Sequence, residues 1–437
     1  MQTETGTLEL TAENAVPGGR CLARHEGKIV LVAGALPGER VRVRLTRDEK
    51  RFAEGEVVEV LEANPKRRDA PCPHAAECGG CDFQHADRDL QLSMKRAIVA
   101  DAFRRIAKID VEALGVLEGP EAVGPEFGWR NRIRLSFDSA GRPGLMARGS
   151  HDVVPIDTCL LPRDAFRETF LPWMRLLPPW RKATLRFDSE GSSVLLLETA
   201  DASNAKDRKR LGALTKGMEP PPGMIGLIAD GIPLAGRRDL RFRIRDTELR
   251  ADATSFFQVN PDVTERLVEV VEGALGPERG ALLDLYAGVG LFSACLGREF
   301  DHVTATEADS RAARHLKHNL KKAGIRGEAR SEQAMVTLRM LPRRPDETVI
   351  LDPPRAGLTP EARQALVERA PGRIVSVSCD PATGARDAGL LVKAGWTLRR
   401  VTALDLFPVT AHVETVSELV REDAGGDAAG AVTEGTA

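Results

Sequence analysis

Cys379 is the residue whose position most clearly suggests chemistry. It follows an apolar segment, Ile374 to Ser378, that predicts a strand, and it precedes a predicted helix. A thiol at the N-terminal end of a helix can have its thiolate favoured by the helix dipole, and the thiolate is the nucleophilic form. Asp380 and Pro381 are polar and turn residues, so Cys379 is expected at the edge of the core, where a reactive thiol must be. An inert buried cysteine is the alternative.

A proton acceptor is expected near that thiol, and two residues compete for this role. Glu414 and His412 both lie in the segment from Ala411 to Val416. Imidazole has an unperturbed pKa of about 6.5, which suits a general base, and a carboxylate can serve as well. Residue types alone do not separate the two, and both also fit a plain edge strand.

The segment Leu351 to Arg355 predicts a stiff loop at the end of another strand. Its two prolines restrict the backbone and remove two backbone donors, which helps to fix the position of Asp352. Arg355 is suited to bind a phosphate or to pair with a nearby carboxylate. A purely structural proline turn would not need the aspartate.

A glycine turn indicates a cofactor site. The apolar segment from Leu282 runs into a turn that ends at Gly290, and glycines let the backbone approach a ligand closely at the carboxyl edge of a sheet. Glu307 ends the next predicted strand, where an acid can accept hydrogen bonds from both ribose hydroxyls. The pair fits an NAD-dependent dehydrogenase as well as an S-adenosylmethionine enzyme, although the turn is not the six-residue dinucleotide fingerprint.

The segment Thr254 to Asn260 offers polar and aromatic groups before the first strand of that region. Gln258 and Asn260 supply amides, and Phe256 and Phe257 supply stacking faces. A helix cap with two core aromatics is the alternative.

Three cysteines in one short loop indicate a metal site. Cys78 and Cys81 have the two-residue separation that a metal clip needs, Cys72 lies just upstream, and Cys159 is a plausible fourth ligand. Four thiolates bind either zinc or an iron–sulfur cluster. His74 and His85 are close in sequence and could also bind zinc, so a zinc site is the alternative. Seven cysteines at irregular spacing argue against a disulfide framework.

The elements that must position these residues fall into three parts and a tail. Residues 1–64 alternate as short strands between Pro-Gly and Gly turns, which predicts a small OB-type barrel that resembles a TRAM domain; a structural barrel without an RNA role is the alternative. Residues 65–250 predict a central α+β domain with the cysteine loop and a helix from Arg88 to Ala107. Residues 251–421 alternate strands and helices, which predicts an α/β fold with a parallel sheet. Residues 422–437 predict a disordered tail.

The net charge of −2 does not indicate a general polyanion binder, yet basic residues cluster locally. Such clusters fit a protein that grips nucleic acid at chosen faces, and solvated helix surfaces are the alternative. The clusters lie at 130–148, 206–216, 237–250 and 311–330. With no apolar run near eighteen residues and no secretion signal, we predict a cytoplasmic enzyme without a membrane span.

Together the motifs resemble the RNA uracil-5-methyltransferase family. Closest is the branch with a TRAM domain and a [4Fe–4S] cluster, typified by the 23S rRNA enzymes. The motifs that carry the resemblance occur in the family's order: CPHAAECGGCDFQH, FFQVN, DLYAGVG, VTATE, DPPRAG, SCDPATGARD and FPVTAHVET. Two departures are Leu291, where the family usually has a polar residue or threonine, and the region near Ser331–Gln333, where the family's acid or amide toward adenine has no clear match.

The resemblance implies a Rossmann-like class I methyltransferase domain that binds S-adenosylmethionine, together with a central iron–sulfur domain. By position, Gln258, Tyr286, Glu307 and Asp352 would contact the methyl donor or shape its pocket. Cys379 would be the nucleophile that adds to uracil C6, and Glu414 would be the base. The cluster ligands would be Cys72, Cys78, Cys81 and Cys159.

The implied partner is RNA, with rRNA favoured and tRNA as the alternative, and we expect a monomer. A redox or radical enzyme that uses the cluster is less consistent with the residues, because radical enzymes usually carry CxxxCxxC, whereas five residues separate Cys72 from Cys78.

Overall fold

A computed structural model describes residues 7–177, 180–198, 219–344 and 346–421. The basic cluster at 206–216 and the tail at 422–437 lie outside these residues. None of the helices described here combines the length and the apolar character needed to cross a lipid bilayer.

The N-terminal part is a six-stranded, curled sheet whose order is β1-β5-β6-β4-β3-β2. Alternating apolar residues such as Val30, Val32, Val41 and Val43 point into one core, and β1 also approaches β3, which curls the sheet. All pairs are antiparallel except β4 with β6. The strands are β1 (Thr7–Thr11), β2 (Asn14–Val16), β3 (Arg20–His25), β4 (Lys28–Ala33), β5 (Arg40–Asp48) and β6 (Phe52–Glu62).

The predicted helix after the cysteine loop is present as α1 (Arg88–Ala102), extended by a π-helical turn (Phe103–Ala107). Asp87 caps α1 by accepting a hydrogen bond from the Leu90 amide. A two-residue strand, β7 (Leu117–Glu118), follows and joins the edge of the C-terminal sheet beside β22. The apolar residues of this segment contribute to two cores, because Met94 and Ile98 pack in the barrel core, whereas Phe103 packs in the C-terminal α/β layer.

The central part is a seven-stranded sheet in the order β10-β9-β8-β11-β12-β13-β14. A separate hairpin, β15–β16, follows it and packs against the C-terminal layer. A π-helical turn (Phe166–Phe170) leads into the short α2 (Leu171–Met174). The strands are β8 (Arg132–Phe137), β9 (Pro143–Met146), β10 (Val153–Pro155), β11 (Lys182–Phe187), β12 (Ser193–Glu198), β13 (Met224–Ala229), β14 (Ile232–Gly236), β15 (Asp239–Ile244) and β16 (Thr247–Asp252).

The C-terminal part is an eight-stranded sheet in the order β19-β18-β17-β20-β21-β23-β22-β7. The strands are β17 (Ala281–Leu285), β18 (His302–Thr306), β19 (Gly327–Arg330), β20 (Glu347–Leu351), β21 (Arg373–Ser378), β22 (Thr397–Leu404) and β23 (Glu414–Val420). The helices are α3 (Pro261–Ala274), α4 (Leu291–Leu296), α5 (Ser310–Lys322), α6 (Ala334–Met340), α7 (Pro360–Arg369) and α8 (Pro381–Lys393).

The first five strands of this sheet are parallel, as the sequence predicts, and β23 is antiparallel to both of its neighbours. The edge-strand alternative for the segment with Glu414 is therefore wrong. A hairpin places β23 between β21 and β22, so Glu414 begins an interior strand at the same sheet edge where the parallel strands end.

Candidate active site

The predicted reactive groups lie together at the edge of the C-terminal sheet where its parallel strands end. Cys379 directly follows β21, and Asp352 directly follows β20. Glu414 begins β23, which pairs with β21, and its side chain is 2% exposed. Asp284 on β17 is fully buried and lies in the same edge region. The sequence analysis did not single out Asp284, although an acid inside an apolar strand was a usable signal, because unpaired buried acids are rare.

Three of these acids affect one another's ionisation. Burial, and then the charge of Asp352, raises the pKa of Glu414 well above its usual range. Burial and Asp284 raise the pKa of Asp352 to about 7, and burial raises that of Asp284 to about 6. Like charges in a desolvated site disfavour joint ionisation. The site therefore holds carboxyl groups that exchange protons near neutral pH.

The Cys379 thiol does not show the helix-dipole effect expected from its sequence position. Burial, and then the neighbouring Glu414 and Asp352 carboxylates, raise its pKa to about 11. The start of α8 is already capped, because the Asp380 carboxylate accepts hydrogen bonds from the Ala382 and Thr383 amides at 3.0 and 3.1 Å. The resting form of Cys379 is thus the thiol, and its activation depends on where its proton goes.

Cys379 opens into a cleft of about 620 Å³ between the central and C-terminal sheets. The cleft also contains aromatic and cationic side chains, which suit stacked bases and phosphates. These are Trp129, Arg130, Arg134, Lys182, Arg355 and Phe407. Arg355 is 3.3 Å from Asp380 and remains largely exposed, so it is positioned both to pair with a carboxylate and to meet an anion.

His412 lies in the loop before β23, and Glu414 is the first residue of that strand. His412 faces the cleft, where burial and then Arg355 lower its pKa, whereas Glu414 is directed into the buried carboxyl group cluster. The two candidates for a base are thus distinguished by environment: a neutral imidazole in the cationic cleft and a buried carboxyl coupled to Cys379.

The loop between β22 and β23, residues 405–413, is held by groups from the N-terminal half of the chain. Asp82 accepts a hydrogen bond from the Ala411 amide at 2.8 Å, and its own amide donates to the Val409 carbonyl at 3.0 Å. Gln91 accepts from the Val409 amide at 3.0 Å, and Lys95 donates to the Phe407 carbonyl at 2.8 Å. The Lys95 ammonium is fully buried beside Asp405. This clamp fixes the segment that leads into Glu414.

The glycine turn and Glu307 are adjacent at the ends of β17 and β18. The Glu307 carboxylate accepts hydrogen bonds from the Gly288 amide at 2.9 Å and the Asp309 amide at 2.7 Å. Gly288 has a φ of +57°, and a Cβ there would meet nothing within 4 Å, so open space adjoins the turn. Tyr286 is half-buried with a φ of +62°, and burial raises its pKa. Leu291 points into the core.

In the segment before α3, some side chains lie near the candidate site and others lie in the hydrophobic core. Gln258 is buried, and its backbone carbonyl accepts a hydrogen bond from the Asn131 side-chain amide at 3.1 Å. Asn260 is the N-cap of α3. Phe257 stacks on the core residue Phe242, with ring centroids 4.1 Å apart, so its predicted role as a free stacking face is wrong. Phe256 is 61% exposed, so its aromatic face is free to stack on a ligand.

The four cysteines Cys72, Cys78, Cys81 and Cys159 line one enclosed cavity. Burial raises the pKa of Cys81 to about 12 and that of Cys159 to about 11, and the neighbouring thiols contribute to both shifts. His74 also lines the cavity, but its Nε2 is 2.6 Å from Asp157.

The spacing of these sulfur atoms bears on the metal that they fit. A tetrahedral zinc site with Zn–S bonds of about 2.3 Å would bring its sulfur atoms within roughly 3.8 Å of one another. Within the described ranges, no three cysteine sulfur atoms lie within 4.8 Å of one another. His85 lies against the barrel, where burial and Arg67 lower its pKa to about 4. The donor set is thus four thiols in one cavity, and either zinc or an iron–sulfur cluster takes such ligands.

Comparison with known proteins agrees with this architecture. A family model described as tRNA (Uracil-5-)-methyltransferase matches residues 237–422, and a TRAM domain model matches residues 1–58. An uncharacterized RNA methyltransferase of Streptomyces coelicolor is 35% identical over 92% of this chain and 90% of the relative. The 23S rRNA (uracil(1939)-C(5))-methyltransferase RlmD of Halomonas elongata is 32% identical over 98% and 93%.

One solved structure matches along nearly the whole chain. The tRNA (uracil-54, C5)-methyltransferase of Pyrococcus abyssi, solved with S-adenosyl-L-homocysteine, has a TM-score of 0.71 at 25% identity, over 94% of this chain and 99% of that one. The fold and the site together define a class I methyltransferase with an N-terminal TRAM domain. The chain belongs to the RNA uracil-5-methyltransferase family.

Proposed function

We propose that this enzyme transfers a methyl group from S-adenosylmethionine to C5 of a uridine in RNA through a covalent bond between Cys379 and C6. The observation that carries the proposal is the pairing of the Cys379 thiol with the buried Glu414 carboxyl beneath a cleft lined by cations and aromatics. Uracil C5 is a weak nucleophile, so an enzyme must first raise its electron density.

The first step uses Cys379. Its thiol loses its proton to water in the cleft, and the resulting thiolate adds to C6, so that the electron pair of the C5–C6 double bond moves into an enolate. C5 then attacks the methyl carbon of the sulfonium group, and the electron pair of the broken sulfur–carbon bond stays on the donor's sulfur. When bound, the donor supplies an electrophilic methyl group. The raised pKa of Cys379 means that proton removal contributes to the barrier.

The second step uses Glu414. Its carboxylate removes the proton from C5, the double bond re-forms, and the Cys379 sulfur leaves C6. Burial raises the pKa of Glu414, which makes the carboxylate a stronger base than an ordinary glutamate. His412 is the competing base. A Glu414→Gln variant that accumulates the methylated adduct supports Glu414, and accumulation only in His412→Ala supports the imidazole.

For the methyl donor we propose Gln258, Tyr286, Glu307 and Asp352 as binding or pocket residues. The open space beside Gly288 and the carboxylate of Glu307 at the strand end support a ribose site there. Both Glu307 oxygens already accept backbone hydrogen bonds, and each retains a further lone pair for a hydroxyl.

For the RNA we propose that the target uridine leaves its stack and enters the cleft, because a ring carbon inside a helix cannot reach Cys379. Phe407 is partly exposed and offers an aromatic face, and Arg355 offers a cation for a phosphate. We favour 23S rRNA, because relatives that match nearly the whole chain bear that activity in their names. A tRNA target is the second candidate, because a solved structure that matches nearly the whole chain is a tRNA enzyme.

We further propose that Cys72, Cys78, Cys81 and Cys159 hold a [4Fe–4S] cluster. Their arrangement in one cavity, together with the resemblance of the loop CPHAAECGGCDFQH to the family's cluster loop, supports this ligand set. In the proposed enzyme the cluster braces the cysteine loop. We retain residues 1–64, 65–250, 251–421 and 422–437 as the proposed domain division. The cytoplasmic location and the monomeric state stay predictions.

The direct test is to incubate the purified enzyme with labelled donor and RNA from cells that lack it, and to map the methyl group by mass spectrometry of nucleosides. We expect 5-methyluridine at one rRNA position, and none with Cys379→Ala. A methyl group on a ribose oxygen or an exocyclic nitrogen, or normal turnover by Cys379→Ala, would refute the proposal.

A further inference from the structure

One basic surface lies away from the catalytic cleft, on the outer side of α5. Four cations recur at helical spacing along it and are exposed: Arg311, Arg314, Lys317 and Lys321. The ion pairs formed by this helix use other residues, namely His315 with Asp239 and Lys322 with Glu248. Within the described residues, none of the four exposed cations is paired with a carboxylate. From Arg311 to Lys321 the stripe extends over about 15 Å.

The hairpin β15–β16 lies beside the same surface. Asn319 on α5 donates to the Arg250 carbonyl at 3.0 Å and accepts from the Arg250 amide at 3.0 Å, which fixes the helix beside the hairpin. Arg241 and Arg243 are exposed on β15, but the Glu248 carboxylate of β16 lies close enough to offset their charge. The surface that we call the α5 face is therefore defined by the four cations of the helix alone, Arg311, Arg314, Lys317 and Lys321.

The barrel provides an informative contrast. Arginines of strand β5 in the barrel form ion pairs with glutamates on the neighbouring strands. Arg40 and Arg42 each pair with Glu9 and a second acid, and Arg44 pairs with Glu56. A paired arginine contributes little to the attraction of a polyanion, because its field is cancelled locally. On a chain with a net charge of −2, the α5 face is a concentration of uncompensated positive charge.

The α5 face reaches the catalytic region at its N-terminal end. The Arg311 guanidinium donates to the Thr254 hydroxyl at 3.2 Å. Thr254 is two residues from the exposed Phe256 and four from Gln258, a proposed donor-site residue. A polyanion that follows α5 would therefore arrive beside the proposed site with an aromatic ring at its edge.

We propose that the α5 face binds the phosphate backbone of the substrate RNA outside the target nucleotide. This inference rests on the proposed function, because it takes RNA as the polyanion. Several cations on one rigid helix bind phosphates without reading sequence, so the face would add affinity and orientation while the cleft selects the uridine. A long RNA would benefit, and a short oligonucleotide that fills only the cleft would not.

The test is a triple variant, Arg314→Gln with Lys317→Gln and Lys321→Gln, measured for binding to long rRNA fragments across a salt series. Each lost phosphate contact lowers the slope of log affinity against log salt by about 0.7, so we expect a reduction of about 2 and an affinity loss of at least about tenfold at 0.1 M salt. Methyl transfer to a short oligonucleotide should match that of the wild type.

The matched control is Arg40→Gln with Arg42→Gln and Arg44→Gln in the barrel, which removes the same net charge from paired positions. We expect its salt slope to stay close to that of the wild type. Equal losses in the two triple variants, or wild-type binding by the α5 variant, would overturn the proposal. If no RNA is methylated by the wild type, the proposed function fails, whereas the binding comparison still decides whether the α5 face contacts RNA.

Discussion

At the scale of single residues, the proposed chemistry depends on ionisable side chains that are buried close together and whose negative charges repel one another. Cys379, Glu414 and Asp352 come from three strands, and each carboxyl raises the pKa of its neighbour. The residue types and their placement at strand ends could be predicted from the sequence. The direction of the Cys379 shift could not, because it depends on which strands become neighbours and on the capping of α8 by Asp380.

The raised pKa of Cys379 predicts a steep pH dependence of its reactivity. Because the thiolate is the reacting form, its alkylation by iodoacetamide should accelerate about tenfold for each pH unit between about pH 7 and 10. Removal of the Asp352 charge in Asp352→Asn lowers the pKa and should increase the rate at pH 8. Mass spectrometry of the Cys379 peptide gives the rate, with Cys379→Ala as the blank. A rate that is flat between pH 6 and 8 would mean that the thiolate is already formed at neutral pH.

At the scale of elements, the loop between β22 and β23 is the one most dependent on long-range contacts. The sequence predicted the strands and the reactive segment, since each has a local pattern. It did not predict the clamp by Asp82, Gln91 and Lys95, whose partners lie more than 300 residues away. Val409 in this loop has a φ of +59°, a backbone conformation that needs such support.

The clamp predicts that Asp82 is a positioning residue. Asp82→Ala removes the acceptor for the Ala411 amide, and a buried hydrogen bond of about 1 to 1.5 kcal/mol corresponds to a loss of roughly tenfold in kcat. The KM for RNA should change little. Asp82→Asn retains a side-chain oxygen and should restore most of the rate. Steady-state kinetics separates the possibilities: an increase in KM at constant kcat would assign Asp82 to RNA binding instead.

At the scale of the whole molecule, the segment that carries the cysteine loop contacts the three largest sheets, and its Phe83 packs in the barrel core. Its Gly79 amide donates to the Met146 carbonyl of the central sheet at 2.9 Å, and Asp82 holds the loop before β23. Barrel, central segment and α/β layer were predictable in order, because each has its own periodicity. The contacts of α1 and β7 with the α/β layer were not, since a two-residue strand carries no signal for the sheet that it joins.

This arrangement predicts that loss of one thiol weakens the connection between the sheets as well as the cluster. Anaerobically purified enzyme should contain about four iron and four sulfide per chain, and Cys159→Ser should lose most of both and unfold at a lower temperature. Cys295→Ser, outside the cavity, is the control and should keep its iron. Zinc in place of iron, or full iron in Cys159→Ser, would contradict the ligand set.

The central claim is that Cys379 bonds to the target base during turnover. The most direct measurement uses 5-fluorouridine RNA with S-adenosylmethionine, because fluorine at C5 cannot be removed as a proton and the enzyme remains attached. We predict a stable protein–RNA adduct that carries one added methyl group, with the RNA linked to the peptide that contains Cys379. An adduct of equal yield in Cys379→Ala, or methylated RNA released without any adduct, would contradict the account.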